Sequence, residues 1–270
     1  MKLAYQISTP DVIPGPQVTA YQSDLDTAVR RLSEVGYDGA ELMVCNPAAI
    51  DVAHLERLAQ RYKLDIPMVC TGEVFGQDKL TLSSVNDDIR SHAIMRAKAA
   101  IDVAGVFGAQ INIGRLRGGY LAGVDRKITY DRAYSAMCEL SDYAAAKNVI
   151  IALEPVNFLS MNFINSTQDG MEMVDKVGRD NYKIMIDIAH MYIDDLDVLA
   201  SVREAKGYFT YVHLTESNRK YPGACKLDFA AFIEALKQVG YDGYVSVEIF
   251  QVPDQETALI KSYEHIKPLL

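Results

Sequence analysis

Between residues 149 and 248 four apolar runs recur: VIIALE (149–154), YKIMID (182–187), YFTYVH (208–213) and YVSVE (244–248). Each is rich in β-branched and aromatic residues, the composition of a strand buried on both faces of a parallel sheet. Each run also stops on an acidic or imidazole side chain, Glu154, Asp187, His213 or Glu248, and these stand 33, 26 and 35 residues apart. That interval is about one strand-plus-helix unit. A single buried carboxylate is costly, whereas several gathered on one rim of a closed sheet can share a divalent cation.

Working outward, apolar runs alternate with helical periodicity eight times along the chain. Strands are expected near residues 2–7, 39–43, 65–70, 110–114, 149–154, 183–187, 208–213 and 243–249. Helical stretches follow them, the clearest over 87–107, where Ile89, Ala93, Ile94, Ala97, Ala100 and Ile101 recur at three- and four-residue spacing. Another is expected over 128–147, stopped by Lys147 and Asn148. Alternating strands and helices require crossover connections and hence a parallel sheet, and eight units point to an α/β fold closed as a (β/α)8 TIM barrel. The peptides GYDGAELMV (36–44) and GYDGYVSVEI (240–249) repeat Gly-Tyr-Asp-Gly before a strand. In both, the first Gly suits the left-handed position after a helix, and Asp-Gly turns the chain. No linker or low-complexity tract divides residues 1–270, so one domain is expected.

Composition narrows the function. The chain of 270 residues is 49% hydrophobic and 23% charged, as expected of a soluble globular protein. No apolar stretch reaches the length of a membrane span, and the segment MKLAYQISTPD lacks the apolar core of a secretory signal, so a cytoplasmic location is expected. Cys45, Cys70, Cys138 and Cys225 are widely spaced without CxxC pairing; neither a zinc ribbon nor a disulfide framework is suggested, and most are expected to be buried thiols. A net charge of −9 disfavours a nucleic-acid backbone as partner. A small polar molecule fits better.

Chemistry in such a barrel lies at the C-terminal ends of the strands. Any one of the four rim residues could be a helix N-cap or an ion-pair partner. Together, on expected strands 5 to 8, they form a hard, oxygen-rich set suited to Mn²⁺, Mg²⁺ or Co²⁺, with Zn²⁺ also open. The segments LEPVN, IDIAH, VHLTESNRKYPG and VSVEIF, together with TGEVFG (71–76) and IGRLRGG (113–119), resemble the xylose-isomerase-like barrel superfamily, most closely its D-tagatose 3-epimerase branch of sugar epimerases. The resemblance implies one divalent metal per chain, held by Glu154, Asp187, His213 and Glu248. It also implies that His190, three residues after the aspartate, and Arg219, six after the metal histidine, touch substrate oxygens. A homodimer or homotetramer is implied as well.

The expected reaction is proton transfer beside a ketone. The enediolate formed there is unstable, and a metal on the neighbouring oxygens offsets its negative charge. Epimerisation removes a proton from one face and returns one to the other, so Glu154 and Glu248 are the expected acid/base pair. Arg115 and Arg117 could clamp a phosphate or carboxylate in fork geometry, or simply pair with nearby acids. Glu216 could hold a metal ligand or Arg219, while Glu41 and Glu73 could reach sugar hydroxyls; structural pairing is open for all three. After EPVN the chain continues Phe158, Leu159, Ser160, Met161 and Asn162, where that branch carries a charged stretch, so the sugar is open: ketoses, ketose phosphates, inososes and keto-glycosides. Alternatives on the same barrel are an isomerase, an inosose- or dehydroshikimate-type dehydratase, and a non-catalytic sugar-binding protein. An endonuclease IV-like phosphodiesterase is disfavoured, because the chain has five His and His54, His92 and His265 fall on expected helices.

Overall fold

Alternation of apolar and polar side chains along a strand sets which residues face the barrel axis, and here both faces are covered. The structure, a computed structural model, describes residues 1–270. Its strands are β1 (Lys2–Ser8), β2 (Gly39–Met43), β3 (Met68–Cys70), β4 (Gln110–Ile113), β5 (Ile151–Leu153), β6 (Tyr182–Asp187), β7 (Phe209–Leu214) and β8 (Tyr244–Val247). All neighbours pair in parallel, and β1 pairs with both β2 and β8, closing an eight-stranded barrel in sequence order. The helices are α1 (Leu25–Val35), α2 (Val52–Tyr62), α3 (Gly72–Gly76), α4 (Asp87–Phe107), α5 (Arg126–Ala145), α6 (Thr167–Val177), α7 (Ile188–Asp194), α8 (Val198–Glu204), α9 (Phe229–Gln238) and α10 (Gln255–Ile266). No helix is long and apolar enough to cross a membrane.

Two cores result. Outward-facing strand residues such as Ile184, Ile186, Val212, Leu214, Val245 and Val247 pack with the helices in one continuous cluster of 67 buried residues. Inside the barrel, Met68, Ala152, Met185 and Tyr211 form a separate apolar plug beneath the rim. The helices start where short polar side chains satisfy orphan amides: Asp24 accepts from Thr27 N, Asn86 from Asp88 N and Ile89 N, and Ser166 with Asp169 forms a reciprocal capping box. Gly36 ends α1 at φ 108°, and its counterpart Gly240 has φ 81°, the left-handed turn read from the repeated Gly-Tyr-Asp-Gly.

Some boundaries differ from the sequence reading. Strand β3 begins at Met68 rather than residue 65, because Pro67 has no amide for the ladder; Asp65 makes only an isolated bridge to Gly39. Strands β5 and β8 end one residue before their glutamates, so Glu154 and Glu248 stand just beyond the strands, while Asp187 closes β6 and His213 lies inside β7. Helix α5 stops at Ala145, and Asn148 takes the left-handed conformation (φ 56°) in the turn beyond rather than as the cap. Only Cys45 and Cys70 are buried; Cys138 is half-buried and Cys225 exposed, on the loop after β7.

Candidate active site and metal centre

The rim residues share one face by the two-residue period of a strand. Glu154 follows inward-facing Ala152 by two positions, Asp187 follows Met185, and His213 follows Tyr211. Asp187 and His213 are direct register partners across β6 and β7. Glu154, Asp187, His213 and Glu248 are all buried, and each offers a ligand atom within 4.8 Å of every other. The expectation that these four side chains meet at one point is therefore met in geometry.

Each is held by specific partners. Asp187 caps α7, its Oδ1 accepting from Ala189 N at 2.7 Å and His190 N at 3.2 Å, which leaves Oδ2 for the cluster. Glu154 Oε2 accepts from Asn112 Nδ2 at 2.9 Å, and Glu248 Oε1 accepts from Thr19 Oγ1 at 3.2 Å. The other oxygens, Glu154 Oε1 and Glu248 Oε2, each lie 3.7 Å from His213 Nδ1. That nitrogen is buried and has no hydrogen-bond partner. Gly114 makes room for this arrangement, since a Cβ there would sit 2.4 Å from Glu154 Oε2.

Charge at the rim is unbalanced in a way that fits a cation. Glu41, Glu154, Asp187 and Glu248 are at most 8% exposed, whereas the permanent cation against them is Arg219, which donates to Glu248 Oε2 at 2.8 Å and Asp187 Oδ2 at 3.4 Å. Burial alone would raise the Glu154 carboxyl, but His213, His190 and Asn112 outweigh it and hold it well below the usual carboxylate range. Burial likewise opposes ionisation of Glu248, and Arg219 and His213 overcome it. His213 itself is lowered by burial yet pushed well above the ordinary imidazole value by Glu41, Glu154 and Glu248. Positive charge is thus drawn to the point between the carboxylates. Three carboxylate oxygens and one unpartnered imidazole nitrogen suit a divalent ion with hard-ligand preference.

The cluster forms the floor of a cavity of about 550 Å³ lined by Glu154, Glu248, His190, Arg219, Glu73 and Arg115, among others. His190 Nε2 is 3.8 Å from Glu154 Oε1, and its Nδ1 lies 2.7 Å from Asn157 Nδ2. Asn157 thus fixes the ring through Nδ1, with Nε2 turned to the Glu154 side of the cavity. Arg219 sits at φ 59°, a left-handed conformation rare for a bulky residue. Its N–H donates to Glu216 O and its carbonyl accepts from Phe250 N, which hold it there.

Other expected site residues are placed differently. Arg117 is fully buried away from the cavity: its guanidinium donates to the carbonyls of Phe163, Gly114, Glu154 and Ile164, so it cannot clamp a substrate anion. Glu216 touches neither a rim ligand nor the Arg219 side chain; its carboxylate accepts from the amides of Ser217, Cys225 and Leu227 and shapes the loop that carries Arg219. Glu41 lies below the cavity wall, against His213, rather than reaching toward a sugar. Glu73 does line the cavity, paired with Arg115 at 3.1 Å.

Sequence reasoning missed Asn112, Thr19, Gln6 and Asn157. For Gln6 and Asn112 a signal was present: each is a polar residue flanked by apolar neighbours within a strand, and both are completely buried, where polar groups need partners. Thr19 lies in the loop after β1, and nothing local marks it.

Known proteins share this arrangement of elements. An L-ribulose 3-epimerase of Methylomonas sp. (strain DH-1) is 30% identical over 228 residues, 83% of this chain and 77% of the relative. A D-psicose 3-epimerase of Ruminiclostridium cellulolyticum is 31% identical over 175 residues, covering 63% and 59%. The crystal structure of a D-allulose 3-epimerase from Methylomonas sp. in complex with D-allulose superposes with a TM-score of 0.82 at 26% identity, covering 100% of this chain and 97% of that one. The sequence profile described as "Xylose isomerase-like TIM barrel" matches residues 29–269, from α1 to the last helix. With eight parallel strands closed in order and a carboxylate–histidine cluster on the rim, the chain belongs to the xylose isomerase-like TIM barrel family.

Proposed function

We propose that this protein is a metal-dependent ketose 3-epimerase, exchanging the configuration at the carbon beside a ketone. The observation that carries the reading is the placement of Glu154 and Glu248. They approach from β5 and β8, both line the cavity, and each turns one oxygen to within 3.7 Å of His213 Nδ1. The similarity to ketose 3-epimerases over most of the chain supports it.

Glu154, Asp187, His213 and Glu248 would hold the divalent ion; Mn²⁺ is the first choice. Bound there, it supplies fixed positive charge close to where negative charge develops on the substrate. The protein's own groups do the rest. One glutamate takes the proton from C3, and the other returns a proton to the opposite face. His190 donates through Nε2 to a substrate oxygen, and Arg219, fixed by its backbone, directs a second set of donors into the cavity. The apolar plug below the rim closes the floor to water, which protects the carbanion from unguided reprotonation.

The preferred substrate is an uncharged ketose rather than a ketose phosphate. Arg117 is spent on backbone carbonyls, and Arg115 commits its Nη2 to Glu73 Oε1 and Gly72 O, which weakens the case for a phosphate clamp. To test the reading, chelator-treated protein is reconstituted with Mn²⁺ or Co²⁺ and incubated with D-allulose or L-ribulose in D₂O. Activity should return, with deuterium incorporated at C3. Metal-loaded protein that exchanges no C3 proton in any ketose would sink it.

A further inference from the structure

Behind the metal cluster lies a buried polar network. Glu41, on β2, is completely buried and accepts from three donors: Gln6 Nε2 at 2.9 Å, Tyr211 OH at 3.1 Å and His213 Nε2, which sits 2.9 and 3.0 Å from its two oxygens. Gln6, Tyr211 and His213 come from β1 and β7, so the carboxylate ties three strands beneath the rim. On the far side of the same imidazole, Nδ1 is buried, unpartnered and 3.7 Å from both Glu154 and Glu248.

We propose that Glu41 is a positioning residue: its carboxylate keeps the proton on His213 Nε2 and aims the Nδ1 lone pair at the metal position. The inference rests on the metal reading above and adds the orientation of one ligand. An ionised carboxylate can only accept, so the nitrogen facing it carries hydrogen and the opposite nitrogen is left as a donor to a cation. The two-oxygen contact also prevents the ring from flipping. Gln6 and Tyr211 in turn fill the remaining acceptor positions of Glu41, so Glu41→Gln would set an NH₂ against one of these donors or against His213. Second-layer carboxylates of this kind typically change metal affinity about 10–100-fold.

Two measurements test the proposal. Calorimetric titration of metal-free protein with Mn²⁺ should show Glu41→Gln binding about 10–100-fold more weakly than wild type, with the circular dichroism of the metal-free variant unchanged. Equal affinity in a folded E41Q protein overturns the proposal. Independently of any variant, long-range ¹H–¹⁵N spectra of wild-type protein loaded with Zn²⁺, with the His213 signals assigned by H213Q, should show a hydrogen on Nε2 and metal on Nδ1. Metal on Nε2 overturns the proposal even if E41Q fails to fold. Absence of any binding of Mn²⁺ or Zn²⁺ by wild type would instead remove the metal reading on which it rests.

Discussion

At the scale of single residues, each rim carboxylate is anchored through one oxygen by Asn112, Thr19 or the first amides of α7, and turns the other toward the cluster, where Arg219 reaches those of Asp187 and Glu248. Removing the ionisable group from Glu248 should therefore remove proton transfer without removing the fold. Glu248→Gln is expected to lower turnover by about 10²–10⁴-fold, with circular dichroism unchanged; a folded variant within tenfold of wild type would contradict its assigned role. Space is as specific as charge. At Gly114 an added methyl would meet Glu154 Oε2 at 2.4 Å, so Gly114→Ala should force the carboxylate out of place. Its activity and Mn²⁺ affinity should fall together, and far more than its melting temperature. A loss of stability with unchanged Mn²⁺ affinity would show that Glu154 had yielded without consequence. The four rim residues were legible in the sequence because each ends an apolar run. Glu41 was legible as an acid but not in role, because its His213 partner is 172 residues away; Glu216 accepts from amides up to 11 residues on, in an irregular loop whose course no periodic pattern encodes.

At the scale of elements, Arg117 is the clearest case of a residue whose chemistry was visible and whose use was not. Its guanidinium joins the loop after β4 to the end of β5 and to the segment before α6, using four backbone carbonyls from Gly114, Glu154, Phe163 and Ile164. Burial pulls it down to about 10, so it remains charged at neutral pH. Replacing it by methionine would strand these carbonyls, and Arg117→Met should cost at least about 3 kcal/mol, read from the urea midpoint at constant m. A cost below about 1 kcal/mol would mean that water replaces the guanidinium. On the outer ring, Arg31 of α1 grips Glu256 of α10, and Tyr21 donates to the same carboxylate. Arg31 first, then Tyr21, hold the Glu256 carboxyl below its ordinary value. Its stabilisation is therefore complete above the unfolded-state value of about 4.3 and is lost as pH falls through the lower folded value. The difference in melting temperature between wild type and Glu256→Gln should be largest near neutral pH and shrink as pH falls below about 4.3. A difference that grows on acidification has the wrong sign for this pair.

At the scale of the whole molecule, closure of the barrel brings four residues spread over nearly a hundred positions within 4.8 Å. The repulsion among their carboxylates is the standing cost of that closure, and a bound cation offsets it. Mn²⁺ at about 100 times its dissociation constant should therefore stabilise metal-free protein by about 2.7 kcal/mol, a rise of roughly 5–10 °C in melting temperature. Scanning calorimetry with and without chelator checks this, and identical transitions would rule out a site on the folded state. The alternation of eight apolar runs with helices, the turns around Gly36 and Gly240, and the acidic and imidazole residues at four strand ends were determined by the sequence alone. They depend on local periodicity and composition, which need no knowledge of distant partners. Only the tertiary structure decided that Arg117 serves backbone carbonyls, that Glu216 shapes a loop, and that Glu41 stands behind His213. A buried polar group acts through whatever closure places within about 3 Å of it, and no local pattern encodes that distance.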